Sequence, residues 1–207
     1  MIKLWGRTSS VNVQKVIWSL LELNLDYEQI VVGGIYGGND TIEYLQLNPT
    51  GKIPTIQDNE LNVWESHTIV RYLWSKYGEI DLQSQEWYIG DQWMDFTNVN
   101  VMPHFIQLFW QEVRLPSVQK DPVKASLYKT ELEKALLFVE RRLQNNQWLN
   151  GKSFGPADIA LGSIMERTAD LTDILVKFEC LCEWVSLLRS RRPYVEIIMS
   201  DYEELRG

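Results

Sequence analysis

The sequence predicts a small α/β domain followed by an all-helical domain. Before about residue 80, short apolar runs alternate with helical patterns in the order β-α-β-α-β-β-α. After residue 84, the strand patterns stop and helical patterns follow one another. The order in the first part predicts a mixed sheet with helices on both faces, because each element must bury its apolar side against another. We place the two domains at residues 1–78 and 84–207.

The first part contains four predicted strands and three predicted helices. Apolar residues recur at helical spacing from Val13 to Leu21, and two further helical patterns cover 41–47 and 67–77. The predicted strands are 2–5, 26–32, 53–57 and 61–64, of which the last two form a hairpin around 58–60.

The second part contains predicted helices separated by proline and glycine. Pro103 lies within the first of them and is expected to kink it, because proline cannot donate a main-chain hydrogen bond. The predicted helices are 84–112, 122–145, 156–172, 178–191 and 193–200.

Composition and charge exclude several classes of protein. An apolar content of 45% and a charged content of 23% are ordinary for a soluble globular chain. The net charge of −8 argues against general binding to nucleic acid or to an anionic membrane, and no apolar run approaches the roughly 18 residues that span a bilayer. Cys180 and Cys182 are two apart on a predicted helix and cannot bridge each other. These features predict a reduced, cytoplasmic protein.

Residues 48–66 form the most informative segment. Pro54 begins a predicted strand, so the main-chain groups of the preceding Ile53 are expected to be free to pair with a bound peptide. Glu65 and Ser66 open the next predicted helix, where they could hold the charged end of that peptide. The segment therefore predicts a peptide-binding edge.

Three motifs in order carry a resemblance to a known family. Residues 48–54 match an Asn-Pro-x-Gly-Lys-Val-Pro segment with Ile for Val, residues 65–66 match a Glu/Gln-Ser pair, and residues 155–160 resemble a helix-capping segment. With the element order, they make the chain similar to the cytosolic glutathione transferases over nearly its whole length. Residues 6–16 look like the bacterial members that carry serine in place of tyrosine or cysteine. The resemblance implies a thioredoxin-like first domain with glutathione as co-substrate.

Such chemistry needs a glutathione thiolate at neutral pH. A helix N-terminus favours an anion, and a hydroxyl or amide there can donate to the sulfur. Ser10 matches the family's catalytic position, with Ser9 second and Asn12 third as the donor. Taken alone, Ser9 or Ser10 before an apolar helix would be read as a plain helix cap.

The resemblance also implies where glutathione is held. Ile53 before a cis Pro54 is expected to bond the cysteinyl main chain, while Glu65 and Ser66 hold the γ-glutamyl end. Lys52 is a candidate for the glycyl carboxylate, although a loop lysine is often only solvated. Arg7 is a weaker candidate for adding positive charge nearby.

The second domain is expected to supply a hydrophobic pocket for the acceptor substrate. Met102 and Phe105 are the residues predicted to line it. His67 and His104 are interpreted as packed or surface histidines, and no cluster of metal ligands accompanies them, so no metal is expected.

The chain departs from the family at one helix start. The family's capping box has Ser or Thr three residues before the aspartate, whereas this chain has Gly155 before Asp158. Asp158 is still expected to accept from the Gly155 N–H.

The sequence leaves three functions open. The first is transfer of glutathione to a small hydrophobic electrophile. The others are a glutathione-dependent disulfide reductase and a non-catalytic binding module. The absence of cysteine near residue 10 argues against a protein-thiol mechanism. The family also implies a homodimer, and nucleic acid and membrane are not expected partners.

Overall fold

A mixed four-stranded sheet forms the centre of the N-terminal part. The computed structural model describes residues 1–207. The strands are β1 (Ile2–Trp5), β2 (Tyr27–Ile30), β3 (Thr55–Asp58) and β4 (Leu61–Trp64), in the order β2-β1-β3-β4. β1 and β2 are parallel, and the other two pairs are antiparallel. This confirms the predicted mixed sheet.

Three helices accompany the sheet, namely α1 (Val11–Glu22), α2 (Ile42–Leu47) and α3 (Ser66–Tyr77). α1 packs against α3 through apolar side chains that are fully buried, among them Val13, Val16 and Ile69. The third strand begins at Thr55 rather than at the predicted Ile53, because Pro54 lacks an N–H for the ladder. The Ile53–Pro54 peptide bond is cis.

The C-terminal part is all helical. Its helices are α4 (Gln85–Phe96), α5 (Met102–Phe109), α6 (Pro122–Leu143), α7 (Pro156–Gly162), α8 (Met165–Leu171), α9 (Glu179–Arg189) and α10 (Arg192–Ile197). The predicted two-domain class, an α/β thioredoxin-like part followed by helices, is therefore confirmed.

Two predicted helices are in fact interrupted. The pattern at 84–112 is divided by a π-helical turn at Thr97–Val101, just before Pro103, and a second π-helical turn at Trp110–Arg114 ends it. The pattern at 156–172 breaks at Ser163–Ile164, between α7 and α8. Apolar periodicity continues across a local change of winding, so it does not reveal such breaks.

α1 also packs against the helical part. Trp18 is fully buried, and its ring lies 5.0 Å from that of Tyr194 and 5.6 Å from that of Phe154. A salt bridge of 2.6 Å joins Glu22 to Arg191. These contacts fix the position of α1 relative to the helices that follow. No helix is long and apolar enough to cross a membrane.

The start of α7 shows how the chain manages without a capping serine. Asp158 accepts from the Gly155 N–H at 3.0 Å, as predicted from the sequence. The missing hydroxyl is replaced from outside the helix, because the Asn150 side chain accepts from the Ala157 N–H at 3.1 Å. A Cβ on Gly155 would lie 2.7 Å from Cγ of Asn150. We call Gly155 and Asn150 a matched pair, because Asn150 can cap the helix only while residue 155 has no side chain.

Restoring the family's serine is therefore expected to destabilise this chain. In Gly155→Ser the new Cβ displaces Asn150, and the Ala157 N–H loses its acceptor. We expect a loss of about 1–3 kcal/mol in the free energy of unfolding, measured by urea denaturation. The double variant Gly155→Ser/Asn150→Ala is expected to recover much of that loss. A gain in stability for Gly155→Ser alone would contradict the matched pair.

Candidate active site

A narrow crevice of about 130 Å³ lies beside the loop that leads into β3. Its lining includes the five residues that the sequence predicts to hold the bound peptide, together with three polar residues. The predicted residues are Lys52, Ile53, Pro54, Glu65 and Ser66, and the others are Asn12, Asn48 and Thr50.

The loop is held so that one peptide edge stays free. The Lys52 carbonyl accepts from the Tyr44 hydroxyl at 2.6 Å and from the Asn48 amide at 2.8 Å. The main-chain N–H and C=O of the next residue, Ile53, make no hydrogen bond within the chain. Ile53 therefore presents both groups for pairing with an extended peptide, which is the arrangement expected from Pro54.

Glu65 and Ser66 lie at the start of α3, on another side of the crevice. Glu65 has a φ of +69°, in the left-handed region that side chains rarely adopt, and its carboxylate is exposed. Ser66 is the first residue of the helix, where main-chain N–H groups are unpaired. An acidic group next to free donors can bind both charges of an amino-acid head group.

Three side chains are candidates to donate a hydrogen bond to the glutathione sulfur, and that of Ser10 is the least engaged within the chain. Ser10 occupies the N-cap position of α1, yet its hydroxyl makes no capping bond. The Ser9 hydroxyl, in contrast, is bonded to both Arg7 and Glu204. The plain-cap interpretation therefore does not describe Ser10, and its hydroxyl is free to meet a ligand.

Asn12 connects the two helix starts. Its Oδ1 accepts from Ser66 Oγ at 3.3 Å and from Lys15 Nζ at 3.0 Å, so the amide nitrogen is left to donate elsewhere. Lys15 is 1% exposed, and burial lowers its pKa to about 7 while the Glu65 charge opposes that shift. The sequence did not indicate Lys15, because a single lysine within a helical pattern is normally solvated.

His67 belongs to this buried cluster. Its Nε2 lies 3.1 Å from Lys15 Nζ. Burial, followed by the charges of Lys15 and Arg71, lowers the pKa of His67 to about 2. The imidazole is therefore neutral at physiological pH, which agrees with its interpretation as a packed histidine. His104, the other histidine, does not line either cavity.

A larger cavity of about 650 Å³ adjoins the crevice, and we call it the acceptor cavity. Ser10 lies in its wall, and Asn12 and Lys52 line both spaces. Met102 and Phe105, predicted from the sequence, line it from α5. Further apolar lining comes from Val11, Ile106, Phe109, Trp110 and Leu205. Asn12 and Lys52 thus mark where a ligand in the crevice would meet a molecule in the cavity, and Ser10 lies two residues before Asn12 in the cavity wall.

Fold and site together define a thioredoxin-like domain with a free main-chain edge at Ile53, next to a cavity that is also lined by residues of the helical part. The family described as the glutathione S-transferase N-terminal domain matches residues 4–81, and that of the C-terminal domain matches residues 101–192. Glutathione S-transferase GstB of Escherichia coli K12 is 31% identical over 205 residues, covering 96% of this chain and 98% of that protein. The chain therefore belongs to the glutathione S-transferase family, and it is a glutathione transferase.

Solved structures agree with this assignment. The theta class glutathione S-transferase of Xanthomonas axonopodis pv. citri with glutathione bound has a TM-score of 0.90 and 35% identity, covering 97% of this chain and 98% of that one. The glutathione transferase URE2P6 of Phanerochaete chrysosporium, in complex with oxidised glutathione, has a TM-score of 0.86 and 28% identity, covering 95% of this chain and 94% of that one.

Proposed function

We propose that this transferase binds glutathione in the crevice, activates its sulfur at the start of α1 and adds it to a hydrophobic electrophile in the acceptor cavity. The observation that carries the proposal is the free Ser10 hydroxyl at the N-cap of α1, in the wall of the acceptor cavity beside the crevice. A donor and a helix N-terminus at one point both stabilise a thiolate.

Each part of the tripeptide has a partner in this arrangement. The cysteinyl main chain pairs with Ile53 and the γ-glutamyl ammonium with Glu65. The γ-glutamyl carboxylate pairs with the N–H groups at the start of α3 and with the Ser66 hydroxyl, which then gives up its long bond to Asn12 Oδ1. Lys52, exposed at the join of the two spaces, meets the glycyl carboxylate. The sulfur then points toward Ser10, with Asn12 able to donate its amide from the first turn.

The reaction itself is a displacement or addition at carbon. The thiolate attacks the electrophilic carbon and a C–S bond forms. In displacement the leaving group departs with its electron pair, and in addition the π-bond electrons move onto the acceptor, which then takes a proton from water. Reduction of a disulfide through bound glutathione is the second candidate. It is favoured only by the room in the acceptor cavity, whose volume of about 650 Å³ could admit a disulfide.

Calorimetric titration with glutathione tests the first step of this proposal. We expect millimolar or tighter binding to the wild-type chain, and about a ten-fold or greater loss in Glu65→Gln, because a charged hydrogen bond contributes about 1.5–3 kcal/mol. Glu60→Gln is the matched control, since Glu60 is an exposed acid in the neighbouring hairpin turn. Equal affinity of the two variants would refute the assigned role of Glu65.

A panel of electrophiles and disulfides then separates the two reactions. We expect conjugates to form with the electrophiles, and oxidised glutathione to appear slowly or not at all with the disulfides. We also propose the domain division at 1–78 and 84–207, a cytoplasmic location and a homodimer. Sedimentation of the purified chain tests the last of these.

A further inference from the structure

The acceptor cavity has an unusual distribution of charge for a chain with a net charge of −8. Its lining includes four cationic side chains and no carboxylate. The four are Arg7, Lys52, Arg114 and Arg167. Lys52 is assigned above to glutathione, so three arginines remain on the acceptor side.

These arginines are incompletely paired. Arg7 is 8% exposed and Arg167 is 3% exposed, and the Nε of each is buried without a hydrogen-bond partner. Arg114 makes no salt bridge or side-chain hydrogen bond, and its guanidinium lies 5.2 Å from the centre of the Trp110 ring. Arg7 is partly paired with Glu204, and Arg167 donates to the Ser9 carbonyl and to Gln14, so Arg114 is the guanidinium left for an incoming anion to pair with.

The three charges also act on each other. Burial lowers the pKa of Arg114, the charge of Arg7 lowers it further, and Glu204 partly offsets both. Burial likewise lowers the pKa of Arg167 to about 10, with Arg114 and Arg7 adding to the effect. An anion placed among these guanidinium groups would relieve that repulsion.

One carboxylate of the chain itself is bound at the rim of the cavity. Glu204, near the C-terminus, lies 3.0 Å from Arg7 and accepts from the Tyr36 hydroxyl at 3.2 Å. Its pKa is lowered, chiefly by the hydrogen bond from Ser9 and also by Arg7. Glu204 engages Arg7, whereas Arg114 is left without an ion-pair partner.

We propose that the acceptor cavity selects an electrophile that carries a carboxylate on an aromatic or otherwise apolar body, with Arg114 binding the carboxylate. The apolar wall of Phe105, Ile106 and Phe109 takes the body of the molecule. The planar guanidinium matches a carboxylate with two parallel hydrogen bonds, which an amide cannot reproduce. The carboxylate is unchanged in the reaction: the C–S bond forms, the bond to the leaving group breaks, and that group leaves with the electron pair.

This inference rests on the proposed function, and binding of matched conjugates tests the two separately. We would compare S-benzylglutathione, its 4-carboxy derivative and its 4-carbamoyl derivative by calorimetry. All three carry the same tripeptide, so the ratio of acid to amide affinity isolates the substituent. We expect the wild-type chain to bind the acid about ten-fold or more tightly than the amide, as a charge-assisted pair predicts.

Arg114→Gln should reduce that ratio to about three-fold or less. Arg114→Lys should give an intermediate value, because lysine keeps the positive charge but lacks the two parallel N–H donors of the guanidinium. Arg141→Gln is the matched control, since Arg141 also lies over an aromatic ring, Phe138, but on an exposed surface. It should leave the ratio unchanged.

The outcomes are distinguishable. If S-benzylglutathione itself fails to bind at millimolar concentration, the proposed glutathione site is wrong, and this inference falls with it. If it binds but the acid has no advantage over the amide, only the anionic acceptor is refuted. An acid preference that survives in Arg114→Gln refutes the assignment to Arg114.

Discussion

An Asp158→Ala variant is expected to lose about 3 kcal/mol or more of unfolding free energy, because each buried donor left without a partner costs about 1–3 kcal/mol. Asp158 is fully buried and accepts three hydrogen bonds. The donors are the Leu149 N–H at 2.9 Å, the Trp184 indole at 2.9 Å and the Gly155 N–H at 3.0 Å. Removing the carboxylate leaves all three buried without an acceptor.

Thermal and urea unfolding measure this loss. A shift of about 2–4 °C per kcal/mol is expected for a chain of this size, so the melting temperature should fall by roughly 10 °C. Asp173→Ala is the matched control, because that exposed aspartate forms surface salt bridges with Lys129 and Lys177, which contribute about 0–1 kcal/mol. A melting temperature for Asp158→Ala within a degree or two of wild type would refute the capping role.

Asp158 also predicts a pH dependence. Burial raises its folded-state pKa to about 6, against about 3.9 in an unfolded chain. The folded state therefore binds the proton more tightly than the unfolded chain does. The resulting contribution to the free energy of unfolding is fully present below about pH 4 and is lost as the pH rises through about 6. Between these values, the stability of the wild-type chain should fall relative to that of Asp158→Asn, which cannot titrate.

The second large effect is expected for Ser10→Ala. Loss of a hydrogen bond to a charged sulfur removes about 1.5–3 kcal/mol, so the pKa of the bound glutathione thiol should rise by about 1–2 units. At neutral pH, kcat/KM should fall by about 10–100-fold with an electrophile of the proposed kind. Ultraviolet absorbance of the thiolate, titrated with glutathione bound, measures the pKa directly.

Neighbouring positions provide the controls for this variant. Ser10→Thr retains a hydroxyl and should keep most of the activity, while Thr8→Ala removes an exposed hydroxyl that accepts from Gln29 and should change little. If Asn12→Ala raises the thiol pKa and Ser10→Ala does not, the donor is the amide. Unchanged pKa values in both variants would refute both assignments.

The sequence predicted the parts of the site that depend on local main-chain geometry. Pro54 at a strand start implied the free edge at Ile53, and the Glu65-Ser66 pair implied a helix start, and the structure has both. These features can be predicted from the sequence because proline and helix-start residues restrict the main-chain conformation of the few residues next to them. The breaks in helices 84–112 and 156–172 were not readable, because the apolar pattern continues through them.

Contacts between distant residues were decided only by the tertiary structure. Asn150 replaces a capping side chain seven residues before Ala157, and Lys15 is buried beneath Asn12 by α3 packing on α1. Arg114 and Arg167, from two different helical segments, reach the same cavity as Arg7. The sequence by itself determined the fold class, the family and the free main-chain edge at Ile53. Only the packing of α1 between the two parts of the chain decided which serine is free and which charges line the acceptor cavity, because burial and pairing depend on neighbours far apart in sequence.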